Sequence, residues 1–234
     1  MGQTLAHLAA SDPRFQVVGG IDLEHPPAPA LISGCDVIID FSAVAGLEHL
    51  LDQNIVGKAL VIGTTGLTDK VHERLDRAAA ECAVLVVANF SVGVNLLLGL
   101  VEQAARVLGA EQYDVEIVEA HHKRKVDAPS GTALAIGHAI AKARNANLGD
   151  LRVDGRTGQV GVRKQGEVGF HALRGGDIVG EHRVHFIGTN ERIELAHSAQ
   201  DRSLFAEGAL RAATWIVGKP PGRYTMKDVL GLEG

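Results

Sequence analysis

The 234-residue sequence lacks the features of secreted, membrane-spanning and nucleic-acid-binding proteins. Its two cysteines, Cys35 and Cys82, are too few for a disulfide framework or a four-thiolate zinc site, and they favour a reducing cytoplasm. Lys and Arg number 23 against 28 Asp and Glu, and this acidic balance argues against a general nucleic-acid-binding protein. No apolar run approaches the ~18 residues that span a bilayer, and no secretory signal precedes the first polar residues, so we expect no membrane association.

The first half of the chain alternates strand and helix patterns. Near-continuous apolar runs, as in 35–41, are typical of strands buried on both faces. Strands alternating with helices at this spacing predict a doubly wound, Rossmann-like parallel sheet. The predicted strands are 16–21, 35–41, 59–62 and 83–88, and the predicted helices are 3–10, 44–53 and 68–81.

The second half has a different pattern. A long helix over 95–108 and a one-sided strand over 113–120 precede a helix that opens near Pro129 and ends near Arg144. Three alternating runs, at 167–174, 182–188 and 191–198, then predict an antiparallel meander, and a last helix covers 203–217. We therefore expect an α+β second half with a mixed or antiparallel sheet. The predicted domains are 1–92, 93–205 and a segment 206–234 that returns to the first domain.

The chemically richest segment is Glu119–Thr132. His121 and His122 at a predicted strand end can donate protons or hydrogen bonds near neutral pH, and Lys125 adds a cation. Ser130 occupies a helix-cap position, and the free backbone N–H groups that follow it can bind a carboxylate or phosphate. The simpler interpretation, a solvated basic loop before an ordinary helix, explains any single piece. The whole segment instead favours a site for an anionic substrate.

Three other segments suggest a nucleotide site in the first half. Gly63–Gly66 and Val87–Ser91 directly follow strands, at the edge where open α/β sheets bind ligands, although tight turns alone would explain them. Asp22 stands about 20 residues after Gly2, the spacing at which a carboxylate contacts an adenosine ribose in dinucleotide-binding folds. Without that context, a loop carboxylate is the simpler interpretation of Asp22.

The eleven histidines raise the question of a metal site. His182 and His185 have a ligand-like spacing, but residues three apart in a strand point to opposite faces. No thiolate or carboxylate set completes the group, so we expect no metal.

These motifs together resemble the 4-hydroxy-tetrahydrodipicolinate reductase family, formerly called dihydrodipicolinate reductases, of lysine and diaminopimelate biosynthesis. The resemblance covers essentially the whole chain, and the His-His segment is its most specific part. The matching segments are 38–42, 61–66, 88–95, 119–134, 174–182 and 213–215.

The resemblance implies residue roles in the second half. His121 would be the general acid–base residue, and Lys125 would donate the proton as hydride arrives. Substrate binding would fall to His122, Ser130, Gly131 and Thr132, the last two holding a carboxylate of a cyclic dicarboxylate.

The resemblance also implies the cofactor and the assembly. The cofactor would be NADH or NADPH, and the absence of an arginine next to Asp22 favours NADH. The resemblance implies a homotetramer formed through the sheet of the second domain, as is usual in the family. The implied cofactor-binding residues are Gly2, Asp22, Gly63, Thr64, Thr65, Val87, Ala88, Asn89 and Phe90.

One departure from the family pattern keeps an alternative open. The family begins with a strand and a Gly-x-x-Gly-x-x-Gly turn, of which only Met1-Gly2 matches here. A non-catalytic dicarboxylate-binding relative without a dinucleotide site would fit this departure. A second alternative is a nicotinamide-dependent reductase of another small acid.

Overall fold

A computed structural model describes residues 1–22 and 29–232 of the chain. These residues divide into two compact units: one holds the described residues within Met1–Val92 and Ser203–Gly234, and the other is Gly93–Arg202. Among the described residues, none of the helices has the length and apolar character needed to cross a membrane.

Both units combine strands with helices. The strands are β1 (Val37–Asp40), β2 (Ala59–Ile62), β3 (Ala83–Val86), β4 (Asp114–His121), β5 (Arg152–Asp154), β6 (Val168–Arg174), β7 (Gly180–Ile187), β8 (Arg192–Ala199) and β9 (Gly222–Tyr224). The helices are α1 (Gly2–Ala10), α2 (Pro29–Gly34), α3 (Val44–Leu51), α4 (Asp69–Ala78), α5 (Val92–Val107), α6 (Gly131–Ala143), α7 (Leu148–Leu151), α8 (Ser203–Ile216) and α9 (Met226–Leu230).

The first unit is built on a parallel sheet in the order β1-β2-β3-β9. One apolar cluster joins α1 and α8 to the sheet, and a second joins α3 and α4 to it. Every residue of β2 is buried, as expected for a strand covered on both faces. This arrangement confirms the predicted Rossmann-like parallel sheet.

The strand predicted at 16–21 is absent. The segment has no assigned strand, and Val17, Val18 and Ile21 are exposed. Among the described strands, none pairs with it. An apolar pattern becomes a strand only where a neighbour satisfies its backbone groups, and this segment finds none.

The second unit contains a mixed sheet in the order β5-β6-β4-β7-β8. The predicted meander is wrong, because β4 lies between β6 and β7 and pairs parallel with one and antiparallel with the other. Of the three strands predicted to form the meander, β7 and β8 pair with each other as a hairpin. Alternating hydrophobicity predicts the strands but not their partners, since the period of two is the same for every pairing.

The inner face of this sheet packs against helices. Val115 and Ile117 of β4 join a buried cluster with residues of α5 and α6, whereas Glu116 and Val118 point to the outer face. The alternation of β4 continues to its end, so Glu119 and His121 also face inward. Glu119 and His121 therefore lie at the end of a core strand, on the face that packs against the helices.

Candidate functional site

The centre of the site in the second unit is the buried carboxylate of Glu119, which is only 1% exposed. Its Oε1 accepts hydrogen bonds from the backbone N–H of Ser130 (3.0 Å) and from Nη2 of Arg174 (2.7 Å). Its Oε2 lies 2.6 Å from Nδ1 of His121 and accepts from Nη1 of Arg174 (2.7 Å). Arg174 also donates to the carbonyl of Asp127 (2.7 Å), which ties the following loop to the same cluster.

The charges in this cluster set the protonation states. Burial opposes ionisation of Glu119, but the hydrogen bonds from Arg174, His121 and Ser130 outweigh it and lower the pKa of the carboxyl group. Burial lowers the pKa of His121; Glu119 opposes that shift, and the cations Lys125 and Arg174 add to it. Near neutral pH the arrangement therefore holds an ionised glutamate against a neutral histidine.

Ser130 caps α6 and connects it to a second buried histidine. Its Oγ accepts the N–H of Ala133 at 3.2 Å and lies 3.0 Å from Nε2 of His182. The His182 ring packs edge-on against that of His121, with centroids 5.2 Å apart. Burial, reinforced by the neighbouring His121, lowers the pKa of His182 to about 4.

The loop between β4 and α6 holds the cationic residues. Nζ of Lys125 lies 2.8 Å from Oδ1 of Asp127, and this contact is the main cause of the lowered pKa of Asp127. His122 is half-buried, and its Nδ1 is buried without a hydrogen-bond partner among the described residues. Gly131 is exposed at the first helical position, with Thr132 beside it.

In the first unit, the turn after β2 lies at the carboxyl edge of the parallel sheet, where the sequence predicts a cofactor site. Thr64 is buried and donates from Oγ1 to Oδ2 of Asp40 at 2.6 Å, which links the ends of β1 and β2. A Cβ on Gly63 would lie 2.5 Å from the ring of Phe41, so packing explains this glycine without a ligand. Thr65 is exposed.

The turn after β3 reaches the same edge of the sheet. Val87 donates its N–H to the carbonyl of Ile62 at 3.1 Å, Ala88 is exposed and Asn89 is half-buried. The Phe90 ring is buried in the core, 5.2 Å from that of Phe41, so only its backbone is offered to a ligand.

The two remaining cofactor candidates lie earlier in the chain. Asp22 is exposed. Gly2 opens α1, and a Cβ there would meet open space. A helix start with free space, together with exposed backbone at the carboxyl edge of a parallel sheet, fits a dinucleotide.

The structure thus brings together His121, Lys125 and Ser130 in the second unit. Sequence reasoning assigned no role in this site to three partners of these residues, namely Glu119, Arg174 and His182. Glu119 could have been found, since residues two apart in a strand share a face. Arg174 could not, because its approach depends on β6 pairing beside β4.

The histidine-rich strand β7 does not form a metal group. His182 faces the core and His185 the outer face, as the strand period predicts. Across residues 1–22 and 29–232, no group of three or more potential ligands is arranged to hold a metal ion.

The first unit has the parallel-sheet fold in which dinucleotides bind at the carboxyl ends of the strands, and the second unit carries histidine and lysine side chains suited to proton transfer. Together they define the class of nicotinamide-dependent oxidoreductases. Two family models match the chain: "Dihydrodipicolinate reductase, N-terminus" over residues 1–90 and "Dihydrodipicolinate reductase, C-terminus" over residues 93–230. The chain belongs to the dihydrodipicolinate reductase family.

Curated relatives and a solved structure agree with this membership. The chain is 48% identical to the 4-hydroxy-tetrahydrodipicolinate reductase of Caulobacter vibrioides, covering 86% of this chain and 79% of the relative. It is 52% identical to that of Acinetobacter baumannii, covering 87% and 74%. The dipicolinate-bound dihydrodipicolinate reductase from Paenisporosarcina sp. TG-14 shares the fold, with a TM-score of 0.71 at 22% identity, over 96% of this chain and 92% of that one.

Proposed function

We propose that this chain reduces 4-hydroxy-tetrahydrodipicolinate to tetrahydrodipicolinate with a nicotinamide cofactor, in lysine and diaminopimelate biosynthesis. The observation that carries the proposal is the cluster at the end of β4. There His121 and the loop that holds Lys125 lie beside the first turn of α6. Relatives with this printed activity match most of the chain. The unpaired thiols of Cys35 and Cys82 suit a reducing cytoplasm.

The cofactor is a nicotinamide dinucleotide, which supplies a hydride when bound. Its phosphates would use the start of α1, and its ribose the carboxylate of Asp22. We favour NADH, because Asp22 is followed in the sequence by Leu23 and no arginine that would suit a 2′-phosphate. The residues proposed to hold the dinucleotide are Gly2, Asp22, Gly63, Thr64, Thr65, Val87, Ala88, Asn89 and Phe90.

The substrate would be held by its carboxylate. Gly131 and Thr132 lie in the first turn of α6, and the backbone N–H groups at a helix start can bind a carboxylate. Ser130 sets the direction of that turn through its cap, and His122 adds a donor from the adjoining loop. Holding the acid in one orientation lowers the entropy cost of the reaction.

The proton would come from the loop residues. Going from substrate to product removes the 4-hydroxyl oxygen as water and adds one hydride and one proton to the ring. The Lys125 ammonium would donate that proton as electron density moves onto the ring, and it would recover a proton from solvent. His121 would act as the general acid–base group beside it.

The assembly would be a homotetramer formed through the outer face of the mixed sheet. Leu173 of β6 and Ile187 of β7 are large apolar residues exposed on that face. Exposed apolar side chains on a sheet face suit association with a second copy. Light scattering of the purified chain measures the assembly directly.

The test is a calorimetric titration with NADH and then NADPH, followed by an assay with 4-hydroxy-tetrahydrodipicolinate. We expect saturable binding of both nucleotides, tighter for NADH, and oxidation of the nucleotide only when substrate is present. A folded chain that binds pyridine-2,6-dicarboxylate but neither nucleotide would contradict the proposal.

A further inference from the structure

We propose that Glu119 is a positioning residue that fixes His121 as the Nδ1–H tautomer and holds the start of α6 against the same histidine. This inference rests on the proposed function, because it concerns the residues that would handle substrate and proton. It is carried by the four hydrogen bonds to one buried carboxylate.

The tautomer follows from the partners of Glu119. The guanidinium of Arg174 and the backbone N–H of Ser130 can only donate, and together they supply three of the four bonds. They stabilise the ionised carboxylate, which can only accept. The fourth contact, at 2.6 Å, therefore requires a proton on Nδ1 of His121.

The other ring nitrogen is then assigned by exclusion. In a neutral His121 with a proton on Nδ1, Nε2 carries a lone pair and acts as acceptor or base. A Cβ on Gly180 would lie 3.1 Å from Nε2, so this glycine keeps a side chain off that nitrogen. In the resting enzyme Nε2 is ready to accept a proton, so the proton added to the substrate is assigned to Lys125.

The second oxygen of Glu119 gives the carboxylate a further role. It accepts the N–H of Ser130, the cap residue immediately before Gly131 and Thr132. One side chain thus joins His121 to the helix start proposed to bind the substrate carboxylate. Moving His121 or the start of α6 away from Glu119 would break a buried hydrogen bond that water cannot replace.

The first measurement is nitrogen-15 NMR of the histidine-labelled full chain without ligands. We expect the neutral His121 ring to carry its proton on Nδ1. The titratable and charged groups facing that ring are Glu119, Lys125, Arg174 and His182. A neutral ring protonated on Nε2 would overturn the inference, and this result needs no variant.

The second measurement uses Glu119→Gln, which keeps the shape and removes the charge. We expect loss of the single tautomer, a lower pKa of His121 and a fall in kcat on the order of 10²-fold, with unchanged binding of NADH. Because the ring then loses its proton at lower pH, the acidic limb of the kcat profile should move to lower pH. Glu119→Asp should restore part of the activity, since it restores an acceptor-only group.

The matched control is Glu116→Gln, which alters a glutamate bonded to arginine and histidine on the outer face of the same strand. It should leave the His121 tautomer unchanged. Wild-type kcat in a Glu119→Gln variant with an altered tautomer would overturn the positioning role. An unaltered tautomer in that variant would overturn the inference, whereas a wild-type chain without reductase activity would overturn only the proposed function.

Discussion

Strand β4 carries two glutamates with similar partners on its two faces. Glu116, on the outer face, accepts hydrogen bonds from Arg156 and Arg163 and lies 2.7 Å from Nε2 of His171. Glu119, on the inner face, meets one arginine and one histidine at similar distances. Their side chains are 16% and 1% exposed, respectively.

The difference between these two networks is burial and a backbone contact. Burial opposes ionisation at both glutamates, and hydrogen bonds to arginine and histidine lower the pKa of both carboxyls. Only Glu119 also accepts a backbone N–H, that of the cap residue of α6. The positioning role proposed for Glu119 therefore rests on two features that Glu116 lacks, namely near-complete burial and a hydrogen bond to a second element.

The largest expected effect distinguishes the histidines of the two networks. His121→Ala should lower kcat by about 10²–10⁴-fold and leave nucleotide affinity unchanged, because it removes an acid–base group and no nucleotide contact. His171→Ala should leave kcat near wild type. Steady-state kinetics and nucleotide titration of both variants make the measurement.

Lys125→Ala extends this test to the proposed proton donor and should resemble His121→Ala. His171 lies on the face proposed for association, so a substitution there could change the oligomeric state. The kcat of each variant is therefore compared only after light scattering shows the same oligomeric state as the wild type. Equal losses of turnover and nucleotide affinity in His121→Ala would contradict the assigned role.

The next effect concerns stability. Glu119→Ala removes a buried carboxylate, and Arg174, which is 20% exposed, keeps only its carbonyl partners, so the change should cost about 1.5–3 kcal/mol. Glu116→Ala breaks a more exposed network and should cost about 1 kcal/mol. Hydrogen exchange of the β4 amides is the suitable measurement, because the only tryptophan, Trp215, lies in the other unit. If the β4 amides exchanged equally fast in both variants, the predicted difference in stability between the inner and outer faces would be wrong.

The sequence predicted most elements of the fold because their patterns are local. A continuous apolar run was enough to predict β2, and helical patterns were enough for α4 and α8. The end of α8 followed from Gly218 and the prolines that come after it. The segment 16–21 failed, because a strand also needs a partner. The meander failed for the same reason, since the position of β4 between β6 and β7 is a long-range property.

The candidate site shows the same division. His121, Lys125 and Ser130 stand within ten residues of one another, and the sequence alone singled them out. Arg174 and His182 come from β6 and β7 and reach the site only through the sheet order. The charge balance around His121 depends on these distant residues, so the sequence could single out candidate groups but not their electrostatic surroundings.

The smallest expected effect is a pH dependence of stability centred on His182. Its pKa of about 4 in the folded chain lies below the ordinary value of 6.5. Unfolding therefore takes up a proton between these values, and the free energy of unfolding falls as the pH drops through this window, by at most about 1.4 kcal/mol per pH unit. Denaturant titrations followed by circular dichroism across the window measure the slope.

His182→Gln isolates this contribution, because its amide can keep the contact to Oγ of Ser130 without titrating. The variant should have a shallower slope than wild type between pH 6.5 and about 4. Burial also lowers the pKa values of His121 and His197, so a part of the slope remains in the variant. His138→Gln, which removes an exposed histidine of α6, controls for the loss of a histidine as such. Identical slopes in wild type and His182→Gln would mean that the buried His182 ring titrates like an exposed one. The inner face of the sheet would then not exclude water, although the comparison of Glu119 with Glu116 requires that it does.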